Sequence, residues 1–282
     1  MKSISYDMDS VEDWFVCYLD IMGYSELINN LYKYPDKVIV LRNGIRDIIK
    51  NTIHFFDVYK NVNKNNIQMV NKSIIEKVRF QVLSDSILIM IPYGININTE
   101  DKPIDSSQSI VLLVFLHILS MSFFNISSKL GYFLRGSIAL GPHYQAPLLE
   151  DEPENQFIFS KALVTAVELE KKANYPRILI DNTLLEFIHK QKVNLLDLNI
   201  RKDFDNQYML DVYGILEGAH QNEFKMLENI CTVIKKQVAL NKNNPQIIQK
   251  YYLYSLYHNK CLTKKKYKDV NLFIDIQSVF DK

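Results

Sequence analysis

Apolar residues along the first third of the chain follow two rhythms. Trp14 to Leu19 (WFVCYL) is a continuous apolar and aromatic run of strand length, closed by Asp20. Beyond Gly23 the spacing turns helical from about Ser25, with Leu27, Ile28 and Leu31 on one face until Pro35 breaks it. Val38, Val40, Leu41, Ile45, Ile48, Ile49 and Ile53 then predict a second helix from about Asp36 to Val58. The Asn- and Lys-rich stretch from Lys60 to Lys72 reads as an exposed connection. Two β-rich runs follow, Lys77 to Val82 and Ser86 to Ile91, and the Leu-Ser-Asp-Ser turn between them sets Asp85 near a hairpin tip.

Gly94 to Gln108 is polar and reads as loop, Ser109 to Leu130 as an apolar helix, and Tyr132 to Leu140 as another strand. Pro142 to Asn155 carries four acidic residues and three prolines, which predicts a loop or flap. Ser160 to Ala173 is an amphipathic helix, and Arg177 to Ile180 is a short strand after Pro176. The order β, α, α, β, β, α, β, α, β predicts an α+β fold with a ferredoxin-like sheet covered by helices on one face. Past Asp181 come a short helix over Thr183 to His189 and a strand over Gln207 to Val212, after the turn-like segment Asp203 to Asn206. Two helices near Asn222 to Leu240 and Pro245 to His258 complete the chain. No linker precedes them. The expected organisation is therefore a core over 1–181 and a C-terminal extension over 182–282 that packs on it rather than folding alone.

Composition narrows the classes of function. With 282 residues, 48% of them hydrophobic, the chain can bury one sizeable core. The 33 basic and 32 acidic residues leave a formal charge of +1, so no long-range field draws the protein to nucleic acid or to an acidic membrane. Cys17, Cys231 and Cys261 have no CxxC spacing, which argues against a disulfide framework and fits a reducing compartment. The six histidines show no metal-ligand spacing with one another or with cysteine. Met1 to Asp9 lacks the apolar run of a signal peptide. The apolar run Ile110 to Phe124, broken by His117 and Ser120, is shorter than the ~20 residues that span a bilayer and reads as a buried core helix. A soluble, cytoplasmic protein without nucleic-acid or membrane partners is expected.

Candidate chemistry gathers in three segments. In Tyr18 to Ser25 (YLDIMGYS), an Asp at a strand end precedes a Gly turn into a helix. That arrangement presents a carboxylate for Mg²⁺ beside backbone N–H groups for phosphate, although a helix-start acid and a turn glycine would look the same. In Gln81 to Ile87 (QVLSDSI), Asp85 is either an ordinary turn residue or a second carboxylate. If the hairpin pairs beside the first strand, the two acids converge, and paired carboxylates make a two-metal site. The third segment, Leu134 to Gly141 (LRGSIALG), puts two glycines in a strand, a sign of close backbone approach. Its Arg135 binds phosphate or pairs with an acid on the sheet surface.

Together these segments resemble the class III nucleotidyl cyclase catalytic domain, and within it the bacterial Pycsar pyrimidine cyclases of antiphage defence. YLDIMGYS stands for the family's strand-end Asp motif and LSDS for its hairpin Asp; LRGSIALG and FSKALVTAVELEKKANYPRILID continue the match. DFDNQYMLDVYG and KYYLYSLYHNK look like the bacterial subgroup. The resemblance implies that Asp20 and Asp85, with the Ile21 position between strand and turn, hold two Mg²⁺ or Mn²⁺ ions. It implies that Ile21, Met22, Gly23 and Tyr24 cradle the triphosphate with Ser25 beside them. It also places Gln81 where the base is read. The implied reaction turns a nucleoside triphosphate, UTP or CTP, into its 3′,5′-cyclic monophosphate and pyrophosphate. The implied assembly is a head-to-tail homodimer with shared active sites, and a separate effector protein responds to the product. Where purine cyclases carry an Asn and an Arg that stabilise the transition state, this chain has Val164 and Glu168. Arg135 and Lys161 are the basic residues that could substitute. The alternative is a non-catalytic cyclase-like protein that binds nucleotide or regulates a partner.

Overall fold

Burial on both faces of Glu12–Ile21 makes this segment, β1, the divider of the molecule in the computed structural model. The structure describes residues 11–29, 32–58, 74, 76–94, 107–149, 152–216, 221–264, 267 and 269–276. Phe15, Cys17, Leu19 and Ile21 point into the main core, while Val16, with Trp14 and Tyr18 beside it, belongs to a smaller cluster on the opposite face. The strands β2 (Arg79–Leu83) and β3 (Ser86–Pro92) form the anticipated hairpin, and β4 is Leu134–Leu149. These four strands lie in the order β2-β3-β1-β4, all antiparallel, which is the ferredoxin-like arrangement. The expected α+β class holds. Strand β6 (Ile178–Ile180) adds to β4 in parallel, so the completed sheet is mixed.

The helices α1 (Tyr24–Asn29) and α2 (Pro35–Val58) follow β1, and α3 (Ser107–Asn125) follows the hairpin. A π-helical turn, Ile126–Leu130, carries α3 on to Gly131, whose φ of 74° ends it. Gln108–Leu130 is therefore 23 residues long and apolar enough to cross a membrane by composition alone. Its place in the core rests on packing rather than on shortness: Val111, Phe115, Leu119 and Phe123 are each fully buried.

Three expectations change. The acidic, proline-rich segment predicted as loop or flap is mostly strand, since β4 runs to Leu149 and β5 (Glu152–Ser160) returns beside it. A register shift between Pro147 and Leu149 absorbs the irregularity there, as expected of proline in a ladder. Second, helices cover both faces. Helix α4 (Lys161–Glu170) lies on the minor face, where Ala162 joins Val16, Leu88 and Met90. Its alanines let it sit close, and the Ala166 carbonyl accepts a 2.5 Å hydrogen bond from Ser137 Oγ. Third, β7 (Ile200–Lys202) pairs with β8 (Tyr208–Leu210), a strand partner the sequence pattern did not suggest. The proposed connection Lys60 to Lys72 falls among residues outside the described ones, as do Met1 to Asp9 and most of Gly94 to Gln108.

Beyond α5 (Asn182–Lys190), the helices α6 (Gln221–Leu240) and α7 (Pro245–Lys264) pack on the major face. Leu227, Ile230, Ile234, Tyr251 and Tyr254 belong to the same core cluster as Phe123, Phe124 and Phe133. The turn before β8 is clamped by the buried Arg177, whose guanidinium donates to Asp203 at 2.5 Å and to Asp205 at 2.6 Å.

Candidate functional site

The hairpin does pair beside the first strand. In the β1–β3 register Asp20 faces Ser86, the residue after Asp85, and the Ile21 N–H donates to the Asp85 carbonyl at 2.8 Å. The turn that presents Asp85 is tight, with Ser84 in the left-handed region at φ 54° between the paired residues Leu83 and Ser86. On the other side of β1, Asp20 faces Arg135 of β4. Strand-end acid, hairpin acid and arginine thus meet at one end of the minor face because three registers agree.

Arg135 pairs with acids, one of the two roles open to it from sequence. Its Nε donates to Asp20 Oδ2 at 2.9 Å and also lies 2.6 Å from Glu170 Oε1. Nε carries one hydrogen, directed at Asp20, so the Glu170 contact is an ion pair without an aligned hydrogen bond. Glu170 ends α4 in continuation of the Ala162–Ala166 stripe, and only 7% of its side chain is exposed. Burial pushes its carboxyl above the usual range, Arg135 opposes that shift, and the charges of Asp20 and Asp85 add to it. Tyr18, two residues before Asp20 on the same face, shares a 2.7 Å hydrogen bond with Ser86 Oγ. Burial raises its phenol first, Ser86 opposes, and Asp20, Glu170 and Asp85 raise it further. Those mutual influences mark one electrostatic cluster. Tyr18, Ser86 and Glu170 were not singled out from sequence. Tyr18 was accessible through the period of two, and Glu170 as a lone charge on the sheet-facing stripe of a helix.

The turn after β1 divides its labour. Met22 and Tyr24 pack against the main core, and the Met22 N–H is spent on the Phe133 carbonyl at 2.9 Å. Gly23, at φ 84° with open space where a Cβ would stand, is where the turn needs glycine. The Ile21 and Met22 N–H groups are thus both spent within the fold, which withdraws them from the expected phosphate cradle. Ile21 buries its side chain, so any part it plays toward a cation is through its backbone carbonyl.

Gln81 lies in the row of Tyr18, two strands across the sheet, or about 10 Å at ordinary strand spacing. Its Oε1 is buried without a hydrogen-bond partner, and the residue lines a cavity of about 680 Å³ with Trp14, Arg79, Gln145 and Gln156. Val164 and Glu168 both stand exposed on the outer face of α4, and Lys161 is exposed at its start. Within this chain they point away from the Asp20 cluster.

Among the described residues, no group of three or more His, Cys, Asp or Glu side chains forms a ready-made metal cage. Two carboxylates and a backbone carbonyl nevertheless make a set of hard oxygen donors, the kind that suits Mg²⁺ or Mn²⁺ in a site completed by substrate oxygens and water.

No family model and no curated protein sequence matches the chain. Among solved structures, it is similar to the adenylyl cyclase CyaB from P. aeruginosa, at 13% identity and TM-score 0.43 over 71% of this chain and 92% of that one. It is also similar to the guanylyl cyclase Cya2, at 11% identity and TM-score 0.42 over 63% of this chain and 78% of that one. A bacterial light-regulated adenylyl cyclase is matched at 11% identity and TM-score 0.39 over 79% of this chain and 99% of that one. At these identities and scores the likenesses are too distant to assign the chain to a family.

Proposed function

We propose that this protein is a metal-dependent nucleotidyl cyclase. It converts a nucleoside triphosphate, UTP or CTP by preference, to the 3′,5′-cyclic monophosphate and pyrophosphate. The observation that carries this reading is the convergence of Asp20 and Asp85 at the end of the minor face, through the Asp20–Ser86 register and the Ile21–Asp85 hydrogen bond. Asp20, Asp85 and the Ile21 carbonyl would hold Mg²⁺ or Mn²⁺. A bound pair of such ions would offset the triphosphate charge and favour ionisation of the 3′-hydroxyl.

The rest falls to the chain. Gly23, Tyr24 and Ser25 face the phosphates from the turn, and Arg135 supplies positive charge at the same end of the sheet. The ribose 3′-hydroxyl gives its proton to water as its oxygen attacks the α-phosphorus; the bond from that phosphorus to the bridging oxygen breaks, and pyrophosphate leaves with the electron pair. Gln81 offers an amide with both donor and acceptor, which matches the edge of uracil or cytosine. The resemblance in sequence supports a homodimer with shared sites in the cytoplasm, and antiphage signalling through a separate effector that binds the cyclic product. It also supports a cyclase core over 1–181 with 182–282 as its packed extension.

Val164 and Glu168 favour the second reading, a nucleotide-binding protein without turnover, because an acid stands where the resemblance places a cation. Incubation with Mn²⁺ and each of the four ribonucleoside triphosphates, followed by mass spectrometry, separates the two. A cyclic pyrimidine product from the wild type, lost in a folded Asp85→Ala variant, is the expected result. No cyclic product from any nucleotide would leave the binding reading in place. Substitution of Gln81 is expected to shift the ratio of UTP to CTP turnover, and an unchanged ratio removes it from base reading.

A further inference from the structure

The acidic end of the minor face holds three carboxylates, Asp20, Asp85 and Glu170, and one guanidinium among them. Asp20 and Arg135 have partly exposed side chains, at 17% and 29%, while that of Glu170 is buried, at 7%. The Glu170 oxygen nearest Arg135 is buried and takes no hydrogen bond, so the acid contributes attraction without completing a geometry. Arg135 is therefore shared unevenly: its Nε–H belongs to Asp20, and its position is drawn toward Glu170.

We propose that Glu170 is a positioning residue for cation entry. Arg135 is the counter-ion that occupies Asp20 before a divalent cation does, and Glu170 is the anchor to which Arg135 retires when Asp20 is taken. The proposal rests on the reading of Asp20 and Asp85 as a metal pair and adds a competitor and its anchor. Arg135 has a long, partly exposed side chain that can turn its single Nε–H from one acid to the other. Glu170 cannot follow it, because it ends a helix seated on the sheet through Ala162 and Ala166. Without the Glu170 charge, Asp20 becomes the one acid of this end paired with Arg135, and the cation meets a tighter clamp.

Simple field strength would also make loss of Glu170 weaken cation binding, so the test must isolate the route through Arg135. Mn²⁺ affinity, read from the electron paramagnetic resonance signal of free Mn²⁺, is measured for wild type, Glu170→Gln, Arg135→Gln and the double variant. Glu170→Gln is expected to weaken binding at least about fivefold, the scale of coupling between charged neighbours, and Arg135→Gln to tighten it. In the Arg135→Gln background, Glu170→Gln should change affinity less than about twofold. An equal loss in both backgrounds, or weaker binding in Arg135→Gln, overturns the proposal. Glu170→Asp keeps the charge but withdraws it by one methylene. It should fall between wild type and Glu170→Gln, and it serves if the neutral variant does not fold. An Asp20→Asn variant distinguishes the two levels: if it leaves wild-type Mn²⁺ affinity unchanged, the metal-pair reading itself fails.

Discussion

His258 is buried with both ring nitrogens engaged. The Nε2–H faces the Leu272 carbonyl at 2.8 Å, and Nδ1 lies 2.5 Å from the Tyr213 hydroxyl, which can donate to it, an arrangement that satisfies the neutral imidazole. Burial depresses its pKa from 6.5 to about 4, with the bond to Leu272 opposing. The sign follows from linkage. Below about pH 6.5 the unfolded chain binds a proton that the folded chain refuses, so stability falls as pH drops toward about 4. This one residue contributes a slope of at most about 1.4 kcal/mol per pH unit in that window. Urea midpoints measured across it should fall with pH in the wild type and fall less steeply in His258→Gln. Equal slopes would remove His258 from the account. At the same scale, the placing of Asp20 at a strand end and of Asp85 in a hairpin turn was legible because each ends or interrupts an apolar run. Glu170 was visible only as a lone charge on the sheet-facing stripe of α4; its pairing with Arg135, 35 residues earlier in the chain, was not, since no local pattern reports that distance.

At the scale of elements, β4 shows what glycine in a strand can mean. A Cβ at Gly136 would collide with the Tyr18 carbonyl oxygen and with the Leu19 side chain. Gly136→Ala is therefore expected to destabilise the fold by about 1–3 kcal/mol through overpacking, read as a lowered denaturant midpoint. Gly141→Ala meets only ordinary contacts with Ala162 and should cost far less, so equal effects would refute this reading of Gly136. The close approach at Gly136 could be read from the two glycines of LRGSIALG. The continuation of β4 into its hairpin with β5 could not. Three prolines and a cluster of acids there carry loop chemistry, and the strand is made by cross-strand pairing such as Tyr144 with Phe159. The two faces were half legible. The continuous apolar run of β1 fits a strand buried on both sides, but only one helical layer was expected, because the small residues of α4 read as an ordinary amphipathic helix.

Across the whole molecule, Arg177 ties the late strands to the sheet. Its side chain is fully buried between Asp203 and Asp205, and Tyr175 also donates to Asp203 at 2.5 Å. Arg177→Met leaves two acids and a phenol without their cation and is expected to cost about 3–5 kcal/mol in chemical denaturation. A cost below about 1 kcal/mol would mean that solvent reaches those acids freely. The sequence offered the turn at Asp203 to Asn206 but not the buried arginine that closes on it. One older feature acquires a wider meaning at this scale. Because β1 sends Phe15, Cys17, Leu19 and Ile21 to one side and Trp14, Val16, Tyr18 and Asp20 to the other, its odd and even positions answer to different demands. A library that randomises Trp14 and Gln81, which line the minor-face cavity, reshapes that cavity while the core residues on the reverse side stay untouched; Val16, fully buried beneath α4, has to be kept. Change at the cavity-lining positions of this face is thus uncoupled from the main core, and change at its buried positions is not.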